Sequence, residues 1–189
     1  LLREAVRGLE ELALLEIVPN RGVLVRQVSI RDALDLYDMR AALLRGAARL
    51  AARRALPEAL AELSHFNVRM REAAAADCYA AYHASNLHFH AALMTAGGNA
   101  RMARAYDRAV KGLHLFRRRS LVHPTQLNLS LHEHEDLLAA IAAHDAAAAG
   151  QVAERHVMLA RSRMLDTLDN GAPARAAPDS TQRPKDETP

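Results

Sequence analysis

The sequence has no tryptophan, three phenylalanines, four tyrosines and a single cysteine, Cys78. One thiol excludes an internal disulfide framework and fits a reducing cytoplasm, the expected location. The scarcity of aromatic and β-branched residues argues against an all-β fold. No apolar run reaches the roughly 18 residues of a membrane span, and no basic start followed by an apolar block marks a signal peptide, so no membrane partner is expected. Neither sign of charge dominates: 25 Lys and Arg face 22 Asp and Glu, and a net +3 is too weak to argue nucleic-acid binding by itself.

What is present is alanine, 40 of 189 residues, within a composition that is 50% hydrophobic. That is enough apolar matter for a core and it is rich in helix formers. Residues 1–13 read as a short helix, with Leu2, Ala5, Val6, Leu9 and Leu12 at helical spacing. Two β-prone runs, Leu14–Val18 and Val23–Val28, flank the turn Pro19-Asn20-Arg21-Gly22, where Gly22 is free to take a positive φ.

From residue 29 onward the pattern is helical. Ser29 is the expected N-cap of a helix to about Ala55 that buries Leu34, Met39, Leu43, Ala47 and Leu50. Pro57 suits the first turn of a second helix, about 57–75, and Asp77 is the expected cap of a third, about 78–96, stopped by Gly97-Gly98. Asn99 caps a fourth, about 100–121; a fifth spans about 126–143; Asp145 caps a sixth that ends near Leu168. Short connections between long amphipathic helices predict an all-α, antiparallel six-helix bundle over 29–168. The tail 169–189, with four of the seven prolines and almost no large apolar residues, is expected to be disordered.

Ten histidines are many for this length. Asn86 and His90 are four apart and share a helix face, while His134 and His156 belong to the fifth and sixth helices. Imidazole suits zinc, nickel and other borderline cations. Three histidines converging inside a bundle would be costly unless each ring found a partner, and a cation would supply one for all three. His83 is seven residues from His90 and shares its face, His88 also lies near it in sequence, and His132, two residues from His134, should point elsewhere. His65, His114, His123 and His144 read as surface or loop residues. Arg101, Arg104, Arg108 and Lys111 make a solvated basic stripe opposite Met102, Tyr106, Ala109, Leu113 and Phe116.

Two stretches carry a resemblance. Arg3-Glu4-Ala5-Val6, Leu9-Glu10 and Pro19-Asn20-Arg21-Gly22-Val23 resemble the end of the winged helix-turn-helix of GntR-family transcription regulators. The set Asn86, Phe89-His90, Glu133-His134 and His156, with 44 residues from 90 to 134 and 22 from 134 to 156, resembles the FCD effector domain of the FadR subfamily. The resemblance implies an incomplete winged helix over 1–28, in which Arg3 faces DNA and Asn20, Arg21 and Gly22 approach the minor groove. It implies that the chain begins inside the recognition helix, so that operator DNA is a partner of a longer protein and this piece binds it poorly. It implies a divalent metal, zinc or nickel, on Asn86, His90, His134 and His156, an Asn being a weaker ligand than a carboxylate. It implies that Arg40, in Tyr37-Asp38-Met39-Arg40, pairs with the carboxylate of a small metabolite, although Leu44 stands where the family often has Glu. It implies a homodimer and a metabolite-responsive regulator rather than an enzyme. A metallohydrolase and a metal-free dimerisation bundle are the alternatives. Against the first, His134-Glu135-Asp136-Leu137-Leu138 lacks the second His of an H-E-x-x-H motif.

Overall fold

The computed structural model describes residues 15–18, 22–25, 29–113 and 124–169, together with Glu4, Val6 and Gly8, all three helical. Arg3, Asn20, Arg21, His114, His123, Phe116, most of the helix expected over 1–13 and the tail from 170 lie outside the described residues. The fourth helix, expected to run to about 121, ends at Gly112 with Leu113 as its C-cap.

An antiparallel hairpin pairs β1 (Leu15–Val18) with β2 (Gly22–Val25) in the register Leu15 opposite Val25 and Val18 opposite Gly22. Gly22 takes φ +86°, the left-handed backbone expected of it at this turn. Among the described residues six helices follow: α1 (Ile30–Arg54), α2 (Pro57–Ala75), α3 (Tyr79–Ala96), α4 (Ala100–Gly112), α5 (Pro124–Ala142) and α6 (Ala146–Asp169). Where the connections are described, they are two or three residues long. Among the described residues no helix is long and apolar enough to cross a membrane.

Local chemistry sets most of these ends. Ser29 accepts from the Asp32 amide while the Asp32 carboxylate accepts from the Ser29 amide, a complete capping box. Asn99 Oδ1 accepts from the amides of Arg101 and Met102, and Asp145 Oδ1 from those of Ala147 and Ala148. Asp77 does not cap α3 as expected. It sits at φ +50° just past α2, where its amide donates to the Ala74 carbonyl and the Cys78 amide to Ala73. This is a Schellman ending of α2, and it uses Asp77 as the left-handed residue, so that Cys78 precedes α3 without a side-chain cap. His144 does the same after α5, at φ +56°, with the Asp145 amide donating to the Ala140 carbonyl.

α1 is the central helix, packed most extensively on α6 and also on α3, α4 and α5. Its buried face is Ala33, Tyr37, Arg40, Ala41, Leu44, Ala47, Ala48, Ala51 and Ala52. The expected face is corrected here: Ala47 is buried, but Leu34, Leu43 and Leu50 are only half-buried and Met39 is 43% exposed. The apolar leucines mislead because the stripe that lets neighbouring helices approach closely is made of alanine. A Cβ on Gly150 of α6 would come within 2.7 Å of Arg49 Cγ, and one on Gly97 within 3.0 Å of the Ala47 carbonyl oxygen.

Candidate metal centre

Five helices bring polar side chains to one buried place: Arg40 from α1, Asn86 and His90 from α3, Tyr106 from α4, Glu133 and His134 from α5, and His156 and Arg163 from α6. One helical turn separates Asn86 from His90, and two turns separate His156 from Arg163, so each pair shares a face. Glu133 and His134 are adjacent and therefore diverge around α5. Glu133 reaches α6, while the His134 ring meets the other two histidines.

The three rings converge. Centroids are 5.3 Å apart for His90 and His134, 5.1 Å for His90 and His156, and 4.6 Å for His134 and His156. One nitrogen from each lies within 4.8 Å of the others, and all three residues are buried. Phe89 packs its ring 4.5 Å from that of His134 and closes one side. Asn86 is 2% exposed and its Oδ1 has no hydrogen-bond partner.

One of these rings has its proton fixed by a hydrogen bond. His156 Nδ1 lies 2.7 Å from Glu133 Oε2, a carboxylate that only accepts, so Nδ1 holds the proton. Burial pushes the His156 pKa below its ordinary value, against the raising effect of Glu133, so the ring is neutral and its Nε2 is a lone pair. Arg40 Nη2 lies 3.4 Å from His90 Nε2, and His156 Nε2 lies 3.3 Å from the same atom. With its proton on Nε2, His90 donates to the His156 lone pair; with its proton on Nδ1, it leaves two lone pairs at the spacing of two nitrogens on one tetrahedral cation, about 3.3 Å when each bond is about 2.05 Å. Geometry, donor chemistry and the unsatisfied Asn86 oxygen all fit a divalent ion.

Charge around the histidines is uneven. Burial alone would raise the Glu133 pKa, but hydrogen bonds from His156 and Arg163 outweigh it and hold the carboxyl below its ordinary range. Arg163 donates from both terminal nitrogens to the two Glu133 oxygens, at 2.8 and 3.1 Å. Arg40 is 1% exposed; its Nε donates to Tyr106 Oη at 3.1 Å, and its Nη1 has no hydrogen-bond partner. With neutral rings, two guanidinium groups against one carboxylate leave the cluster at +1.

The remaining described histidines lie where the sequence suggests. His132 is exposed and pairs with Glu135, and His65 and His88 lie exposed against Phe66. His144 is a loop residue whose Nδ1 meets the Ala52 carbonyl at 2.9 Å. His83, which shares the face of His90, is buried and stacked on Tyr79. Arg101, Arg104, Arg108 and Lys111 are exposed. Sequence reasoning passed over Tyr106, Glu133 and Arg163 as parts of the centre. Glu133 had a signal, its place beside His134; Tyr106 sat in a stripe read as core, and Arg163 had none.

The family model of the FCD domain matches residues 35–159. Among solved structures, the chain is similar to E. coli McbR/YncC, with a TM-score of 0.79 at 19% identity over 87% of this chain and 83% of that one. It is similar to a GntR transcriptional regulator from Rhodococcus sp. RHA1, with a TM-score of 0.71 at 22% identity over 87% and 79%. It is also similar to Lar, described as controlling the expression of the Listeria monocytogenes agr system, with a TM-score of 0.71 at 13% identity over 87% and 79%. At these identities the likeness is one of fold. No curated protein matches the chain by sequence.

Proposed function

The chain belongs to the FCD-domain family, and from that premise we propose that it is the sensing part of a GntR-type transcription regulator of the FadR subfamily, holding a divalent metal and a small carboxylate effector. His90, His134 and His156 hold the metal, zinc or nickel, with Asn86 as the weakest ligand. The observation that carries this reading is the convergence of three buried histidines, with one nitrogen from each within 4.8 Å of the others. When bound, the metal supplies a positive centre with coordination positions left over for a ligand oxygen.

Arg40 recognises the effector. Its guanidinium is buried with one nitrogen unsatisfied, and the carboxylate of the cluster, Glu133, is already taken by His156 and Arg163. A cluster at +1, raised further by a divalent ion, favours an anion, and a planar carboxylate matches the guanidinium fork. The same engagement of Glu133 disfavours the hydrolase reading. A carboxylate gripped by three donors and held below its ordinary pKa is a poor general base for activating water.

Arg3, Asn20, Arg21 and Gly22 are the proposed DNA contacts, with operator DNA bound by the longer protein. A homodimer would present two such units to a pseudo-palindromic operator. The effector changes operator affinity only by as much as it prefers one dimer arrangement to another. The direct test is elemental analysis of the purified chain, followed by zinc titration of wild type and His134→Ala. Stoichiometric metal lost in the variant supports the reading; a wild type that neither carries nor takes up metal overturns it.

A further inference from the structure

The polar groups behind the histidines form a closed arrangement. Glu133 Oε2 accepts from His156 Nδ1 and from Arg163 Nη2, while Oε1 accepts from Arg163 Nη1. His156 and Arg163 are 3% and 8% exposed, which limits competition from water for these bonds. Both belong to one face of α6 and both grip a single carboxylate of α5. The imidazole has two tautomers, and only one of them leaves Nε2 as a lone pair toward His90.

We infer that Glu133, clamped by Arg163, is a positioning residue that holds His156 in its Nδ1–H tautomer and aims Nε2 at His90 and His134. This rests on the reading of the histidines as a metal centre, and it adds how one ligand is prepared before any metal arrives. Arg163 acts at one remove: by filling two lone-pair directions of the carboxylate it leaves Oε2 in place for the ring. A carboxylate without that clamp could rotate away from His156, and the ring would be free to flip or change tautomer. Outer partners of ligating histidines typically alter metal affinity by about 10–100-fold.

Two measurements separate this role from simple structural support. In the metal-free chain above pH 7.5, nitrogen-15 spectra of the histidine rings report tautomers directly. His156 should be Nδ1–H in wild type and a mixture in Glu133→Leu. Zinc affinity by competition with a chromophoric chelator should fall about 10–100-fold in that variant and less in Arg163→Met. Glu133→Leu leaves a buried guanidinium unpaired and can fail to fold, so the double variant Glu133→Leu/Arg163→Met is the second arm. Replacing a whole buried ion pair by apolar groups is often neutral or stabilising. The double variant should therefore melt near wild type and still bind zinc about 10–100-fold more weakly. Wild-type His156 in the Nε2–H tautomer, or a stable double variant with unchanged tautomer and zinc affinity, overturns the inference. If wild type takes up no zinc, the metal reading fails, while the metal-free tautomer still decides what Glu133 does.

Discussion

Where α1 lies on α6, the buried residues are mostly small: Ala41, Ala48 and Ala52 on one helix, Ala149, Gly150 and Ala153 on the other. In contrast, the centre shared by α3, α5 and α6 is filled with histidine, asparagine, glutamate and arginine. The first region is complete as it stands, since its atoms find partners through close packing. The second carries unsatisfied donors and acceptors, among them Arg40 Nη1 and Asn86 Oδ1, each of which costs free energy while it stays unmet. A domain with unsatisfied groups in its interior gains stability from any ligand that satisfies them.

The largest expected effect breaks the comparison at the polar side. Zinc at a thousand times its dissociation constant should stabilise the chain by about 4 kcal/mol, and a chelator should remove that gain. His134→Ala should show none of it in the same melting experiment. A wild type indifferent to zinc would make the histidine region another core, equivalent to the alanine one.

Next is the effector arm. A thermal-shift panel of small carboxylates on the zinc-loaded chain should reveal binders that Arg40→Ala loses, a deficit of about 1.5–3 kcal/mol by calorimetry. Equal affinity in the variant would mean that Arg40 only braces Tyr106 and His90.

The alanine side is tested by overfilling. Ala48 is fully buried, so Ala48→Leu should cost about 1–3 kcal/mol in denaturant melts, with and without zinc alike. A change in zinc affinity of similar size would show that the two regions are not separable.

Acid sharpens the contrast with the least perturbation. His156 titrates below its ordinary 6.5 and Glu133 below its ordinary 4.5. In both cases the unfolded chain takes up protons first. The stability they contribute is therefore full above about 6.5 and falls as pH drops, first through the histidine range and then through the carboxylate range. Metal occupancy should fall over the same histidine range, because ligation needs neutral rings. In the double variant lacking Glu133 and Arg163, the carboxylate part of this acid loss should disappear from a pH series of melts.

Helix ends were legible wherever one residue's chemistry decides them. Ser29, Asn99 and Asp145 cap as expected, and Gly97-Gly98 ends α3, because a capping oxygen or a left-handed backbone acts within four residues of chain. Asp77 was misread because it can serve the end of one helix or the start of the next, and the backbone there chose the former. The core register of α1 was misread at Met39. Hydrophobicity ranks methionine above alanine, whereas a close helix crossing selects for size.

The amino-acid sequence by itself determined the helical class, most element boundaries, the turn glycine at 22 and the short list of histidines worth watching, because composition, periodicity and caps are local. Only the tertiary structure decided that His90, His134 and His156 meet, that Arg40 lies beside them held by Tyr106, and that Glu133 joins His156 to Arg163. Those contacts join residues from 22 to 66 positions apart. No local rule gives the direction in which such side chains point; that follows from how closely alanine and glycine let the helices approach.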